Sequence, residues 1–169
     1  MTTLHIRAPG ALTRVDTAEL NTVGTFWRDD STGTGYVYVK NAGADTCAVG
    51  DVMGVFKTTY AHGHADTTAA TMLDYDDAGD IVSHVSGVAL SILATGEFGW
   101  LWADGPSTVH TILTDGTIAQ GDGLVLDDGL SVATSEIAAQ AHGSFGFAHV
   151  ADSAGSVLTG ATLRNTAFL

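Results

Sequence analysis

The chain has 169 residues, 45% of them hydrophobic, and a formal net charge of −13 from 19 acids against 6 Lys plus Arg. That acidity disfavours nucleic acid, whose binders need Lys and Arg to displace counterions, and it disfavours anionic membrane surfaces. A mean hydropathy of +0.21 excludes a disordered chain, and this length suits one domain with a real core, since a domain of about 150 residues buries about 70% of its unfolded surface.

In chain order, Met1 to Arg7 lacks the basic region and apolar core of a signal peptide, so the expectation is a chain made in a cytoplasm. No apolar run approaches the ~18 residues of a membrane span. Residues 1–35 show no clean period and read as an irregular N-terminal arm ahead of a domain over 36–169. Within it Pro9-Gly10 marks a turn, Asp16-Thr17-Ala18-Glu19 has capping-box spacing for one helical turn, and Arg28 to Gly33 is a polar loop. From Gly35 the pattern turns to strands: Tyr36 to Lys40, Val52 to Thr59, and Ile81 to Leu93 broken near Ser86-Gly87. Phe98 to Ala103 follows, ended by Asp104-Gly105-Pro106, then Thr108 to Leu113, Leu124 to Leu126, Leu130 to Ala133, Gly143 to Val150 and Ser156 to Asn165. Asp127-Asp128-Gly129 is a hairpin signal. Beyond the arm only Thr67 to Leu73 and Glu136 to Ala141 look helical. Many short strands punctuated by 21 glycines predict an all-β barrel or sandwich.

One pattern is written twice. Ala48-Val49-Gly50-Asp51 is answered by Ala119-Gln120-Gly121-Asp122, Gly87-Val88-Ala89 by Gly146-Phe147-Ala148, and Gly96 by Gly155. From Gly50 to Gly87 is 37 residues and from Gly121 to Gly146 is 25, so the first copy carries about twelve more. The expected place for them is a surface loop over Tyr60 to Asp80.

The order of these elements resembles the small capsid decoration, or cement, proteins of tailed bacteriophages. The motifs that carry the likeness are the Gly-Asp turns, Gly87 to Ser91 with Thr95-Gly96-Glu97, Gly146-Phe147-Ala148 and the closing strand, over residues 45–169. The resemblance implies a small β-barrel or β-tulip-like domain and a homotrimer that clamps the major capsid protein on the outer surface of the expanded head. It implies no cofactor and no catalysis. The arm before residue 45 lies outside the likeness, and the 60–80 insertion departs from it.

The chemistry-bearing residues are sparse. Cys47 stands alone, so no internal disulfide is possible, and it reads as a small buried hydrophobe. His62-Gly63-His64 with Asp66 is the best metal candidate, because in an extended segment the two histidines share a side; a loop with polar side chains is the plainer reading. Asp74, Asp76, Asp77 and Gly79 match part of a calcium loop, but Ala78 and Val85 occupy ligand positions. No Gly-x-Ser-x-Gly elbow or phosphate loop occurs, and Gly33-Thr34-Gly35 lacks a third glycine. No catalytic residue is therefore assigned.

Aromatics are the stronger signal. Phe98, Trp100 and Trp102 alternate and share one strand face, where core filling is the first explanation and a partner-anchoring strip the second. Phe26-Trp27, followed by Arg28, lies in the arm and is expected either at a capsid or subunit contact or packed on its own domain. Two other functions stay open: a glycan- or receptor-binding module of a virion stacking sugars on Trp100 or Trp102, and a small metal-dependent enzyme built around His62 and His64.

Overall fold

The computed structural model describes residues 11–43, 45–56, 62–64, 82–126, 133–135, 144–153 and 157–164. These form ten strands and, among the described residues, no helix: β1 (Phe26–Asp29), β2 (Thr34–Lys40), β3 (Val52–Phe56), β4 (His62–His64), β5 (Val82–Ala89), β6 (Phe98–Leu113), β7 (Gly123–Leu126), β8 (Ala133–Ser135), β9 (Gly146–Ala148) and β10 (Val157–Leu163). The all-β expectation holds. The expected barrel does not: the strand path runs β4-β3-β5-β6-β10-β9-β7-β8, with β2 also on β6 and β1 on β2, and it is not closed.

The reason lies in the doubled pattern. Each copy builds a five-stranded antiparallel unit in the same order: β2-β6-β5-β3-β4 in the first and β6-β10-β9-β7-β8 in the second. The 16-residue β6 serves both. Its first half pairs with β2 and β5, and its second half pairs with β10. Asp104-Gly105-Pro106 does not end the strand as expected; it bends it from one unit into the other. Gly105 has φ 77°, and a Cβ there would run into the Gly33 carbonyl, so the bend needs glycine.

The repeat is reproduced bond by bond. Gly50 and Gly121 have φ of 92° and 91°. The Ala48 N–H donates to Asp51 Oδ2 at 2.6 Å, and the Ala119 N–H to Asp122 Oδ2 at 2.9 Å. Gly50 and Gly121 donate to the carbonyls of Ala89 and Ala148, each at 2.9 Å, and these residues donate back to Asp51 and Asp122. Cys47 bridges Leu93 as Ile118 bridges Asp152. Glycine is required at the turn because its φ is strained for any L side chain.

The match extends further than the sequence suggests. Met53 faces His64 and Val55 faces His62, as Leu124 faces Ser135 and Leu126 faces Ala133. One separation of 71 residues therefore holds from Ala48–Ala119 through His64–Ser135. The twelve additional residues fall between His64 and Gly87, so the insertion begins after His62-Gly63-His64, not at Tyr60. Ile81 to Leu93, expected as two strands, contains one, β5, with a register shift near Ser86.

Two buried clusters show how the units pack. The larger joins Tyr36, Tyr38, Val52, Val88, Trp100 and Trp102 of the first unit to Ile112, Ile118, Leu124, Ala148, Leu158 and Leu163 of the second. The smaller is the opposite face of the first unit, including Val37, Val39, Cys47, Met53, Leu93 and Leu101. Met53 and Leu124 are equivalent, as are Val39 and Ile112, yet they lie in different clusters. The aromatic face of the first unit thus packs on the face of the second that corresponds to the first unit's smaller cluster, as in a stacked repeat.

The expected helical turn at Asp16 is absent. The Asp16 backbone instead exchanges two 2.9 Å hydrogen bonds with Phe98, and its carboxylate accepts from Arg14 Nε at 2.6 Å and Tyr38 Oη at 3.1 Å. Pro9-Gly10, Thr67 to Leu73, the acids at 74, 76 and 77, Asp127-Asp128-Gly129, Glu136 to Ala141 and Gly155 lie outside the described residues.

Candidate contact surface

The end of the expected arm is a strand. Phe26–Asp29 pairs with β2, placing Phe26 opposite Val37 and Trp27 opposite Tyr36. Asp29 closes the hairpin: Oδ1 accepts from the Ser31 N–H at 2.9 Å and Oγ at 2.7 Å, bonds that hold its carboxyl below the usual range. The preceding segment is tied on as well, with Gly24 donating to the Tyr38 carbonyl and Tyr38 donating to the Thr25 carbonyl.

Strand alternation separates the aromatic pair. Trp27 turns inward and stacks on Tyr36, centroids 5.5 Å apart, against the larger core. Phe26 turns to the other face and stays 36% exposed, its ring lying over Gly35, where a Cβ would meet Cζ at 2.5 Å. Arg28 is exposed, donates to the Gly33 carbonyl at 3.1 Å and pairs with Asp104 at 3.4 Å. Leu20 and Val23, in the segment leading to β1, are exposed too. Trp100 and Trp102 fill the core, 3% and 0% exposed, so burial supports the core explanation for both. The Trp102 indole N–H donates to the carbonyls of Asp104 and Gly105. Of the five residues expected at a contact, Phe26 and Arg28 are exposed and Trp27 is half-buried.

Charge distinguishes the same segment of the sequence. Residues 1–40 contain four cations and four acids, so the whole net charge of −13 lies beyond Lys40. Exposed apolar side chains on a neutral segment are where an otherwise acidic chain can approach another surface with least repulsion.

A second feature sits between segments far apart in sequence. Leu12, Thr13, Val49, Ala89, Leu90, Val109, His110 and Thr111 line a cleft of about 210 Å³. His110 Nε2 lies 3.1 Å from Tyr36 Oη, its ring against Trp102 and Tyr36, and burial lowers its pKa below the ordinary 6.5. The sequence alone does not place Val109 and His110 in a cleft. Alternation over Thr108 to Leu113 is the available signal, and it says strand, not cleft.

His62 and His64 occupy both ends of β4. Asp66 lies outside the described residues, so the three are not seen together. Among the described residues no group of three or more His, Cys, Asp or Glu could hold a metal ion. Cys47 is fully buried, and burial pushes its thiol pKa up to about 11.

No protein-family model matches the chain, and no curated protein matches it. Among solved structures, the head fiber gp8.5 N base of bacteriophage phi29 is similar at 13% identity and a TM-score of 0.48, over 77% of this chain and 96% of that one. At that identity and score the likeness carries no argument about fold or role.

Proposed function

We propose that this chain is a structural protein of a bacteriophage virion, a head decoration protein that binds the outside of the expanded capsid and acts by contact, without catalysis. The observation that carries the reading is the doubled unit. The Gly-Asp and Gly-x-Ala motifs that resemble decoration proteins are hydrogen-bonded to each other in both copies. Such a frame offers surfaces, and the exposed Leu20, Val23, Phe26 and Arg28 of the neutral first forty residues would supply contacts for the major capsid protein.

The physical task is to add contact free energy across subunit seams. A homotrimer would bind through several equivalent sites, so each contact can be modest while linkage raises avidity. Mass action then favours the decorated shell. A negative exterior suits a position away from packaged DNA and limits sticking between virions. The glycan-binding alternative draws on Trp100 or Trp102, and both are buried.

The test mixes the purified chain with expanded, undecorated heads and sediments them. Saturable co-sedimentation and a raised melting temperature of the heads are expected. A chain that stays in the supernatant at micromolar concentration overturns the reading.

A further inference from the structure

Residues 16–25 are fastened to the sheet at both ends. At one end the Asp16 backbone exchanges two 2.9 Å hydrogen bonds with Phe98 of β6. At the other, the Gly24 N–H donates to the Tyr38 carbonyl at 2.8 Å and the Tyr38 N–H to the Thr25 carbonyl at 2.9 Å. Phe98 pairs with Lys40 and Trp100 with Tyr38, so both anchors sit on one ladder, two residues apart. The stretch between them leaves the sheet and returns beside its start, as an Ω-loop does.

One side chain holds the middle of this loop from the core. The Tyr38 ring is fully buried, packed on Phe98 and Trp100 with centroids 6.1 and 5.3 Å away. Its hydroxyl donates to Asp16 Oδ2 at 3.1 Å and accepts the Leu20 N–H at 3.4 Å. Burial raises the hydroxyl pKa above the ordinary 10, so at neutral pH it keeps the proton it donates. Arg14 Nε holds the other Asp16 oxygen at 2.6 Å. Within the loop, the Val23 N–H donates to Glu19 Oε1 at 3.1 Å and Thr25 Oγ1 to the Thr22 carbonyl at 2.6 Å. The ring of Tyr38 serves the core, and its hydroxyl serves the loop. Leu20 and Val23 are 56% and 36% exposed, so core burial does not explain why a loop held in this way carries them.

We propose that this loop is the preset anchor of the capsid contact: Leu20, flanked by Val23, packs on an apolar surface of the major capsid protein, and Tyr38 and Asp16 are the positioning residues that hold it ready. The inference rests on the decoration reading and adds which side chain carries the contact and what orients it. Order before binding matters, because a loop already fixed in its bound form loses less entropy on docking. The partner surface is apolar because both acids of the loop, Asp16 and Glu19, are engaged inside it, which leaves aliphatic side chains to face outward.

The test is a double-mutant cycle read as affinity for expanded, undecorated heads, with urea unfolding as the control for folding. Leu20→Asp, at an exposed position, should weaken binding on the order of tenfold or more and leave the unfolding midpoint unchanged. Tyr38→Phe keeps the ring and should weaken binding about three- to tenfold. In the Leu20→Asp background it should cost nothing further, because the order of the loop no longer matters once its anchor is lost. Parent-like binding by either single variant overturns the proposal and leaves the decoration reading standing. An equal loss from Tyr38→Phe in both backgrounds does the same, since the hydroxyl then acts only on the stability of the fold. A parent chain that itself stays in the supernatant overturns the decoration reading, and this inference with it.

Discussion

The two units share hydrogen bonds but not surfaces. On the face where the first unit carries Val88, Trp100 and Trp102, the second carries Phe147, Thr159 and Thr162, paired at the same steps of the ladder. All of Phe98 to Ala103 is buried, whereas β10 alternates between exposed and buried positions through Gly160. The first unit's aromatic face is covered by the second unit. The second unit's equivalent face meets solvent, and there threonines replace tryptophans. A stacked repeat needs such a polar outer face on its last member, or it would continue to stack. Backbone frame and side-chain role have separated: the turns specify the unit, and the residues between them specify its position.

The largest expected effect tests that separation directly. Trp102→Ala should cost about 3–5 kcal/mol of unfolding free energy, because it empties a fully buried site in the joint core. Thr162→Ala, its counterpart, should cost under about 1 kcal/mol. Urea unfolding of both variants measures the difference, and equal losses would break the comparison. The turns come next. Gly50→Ala and Gly121→Ala both force a side chain to φ near 90°, at a cost of about 1–2 kcal/mol. Gly50 also has Leu113 Cγ only 3.1 Å from a built Cβ, whereas Gly121 has nothing within 4 Å. Gly50→Ala should therefore be the worse of the two, and the reverse order would mean that the turns are not packed as described.

Much of this frame was legible before any coordinates. Gly-Asp and Gly-x-Ala are spaced by the ladder they form, so their recurrence reports the repeat directly. Strand continuity was not legible at Asp104-Gly105-Pro106, where the residues that normally make a turn make a bend. Pro106 is tolerated there opposite Thr162, and Gly105 supplies the positive φ. The Asp16 capping box failed because its carboxylate and backbone found distant partners, Tyr38 and Phe98, and long-range pairing outweighs a local preference. At the contact surface, the split of Phe26 from Trp27 follows from alternation, but only once those four residues are known to be a strand. The cleft at His110 gathers residues from four distant stretches and leaves no local signature.

Smaller effects sharpen the same contrast. Asp51 is buried and Asp122 half-buried, and each carboxylate accepts the N–H three residues back. Asp51→Ala should cost about 1–1.5 kcal/mol, and Asp122→Ala about 0.5, since water can partly replace the more exposed bond. Thermal melts of the pair measure this, and a larger loss at Asp122 would count against the greater burial of the first turn.

The smallest effect concerns pH and the strand common to both units. His110 sits on the second half of β6 against Tyr36 and Trp102 of the first, and burial disfavours its charged form. Its pKa is therefore lower in the folded chain than the ordinary 6.5 of an unfolded one. As pH falls through that unfolded value, the unfolded chain takes up a proton that the folded chain refuses. Stability then declines, and this contribution levels off once the pH is below the folded pKa. Stability should thus fall as the pH drops through about 6.5, partly through this one ring. His110→Gln keeps a polar group near Tyr36 and removes the titration, so the difference in stability between the parent and the variant isolates it from the carboxylates. A parent that loses stability toward acid faster than the variant is expected from unfolding curves at several pH values. Parallel curves would mean that the imidazole is as well solvated in the fold as outside it, and that the cleft beside Tyr36 and Trp102 is open to water.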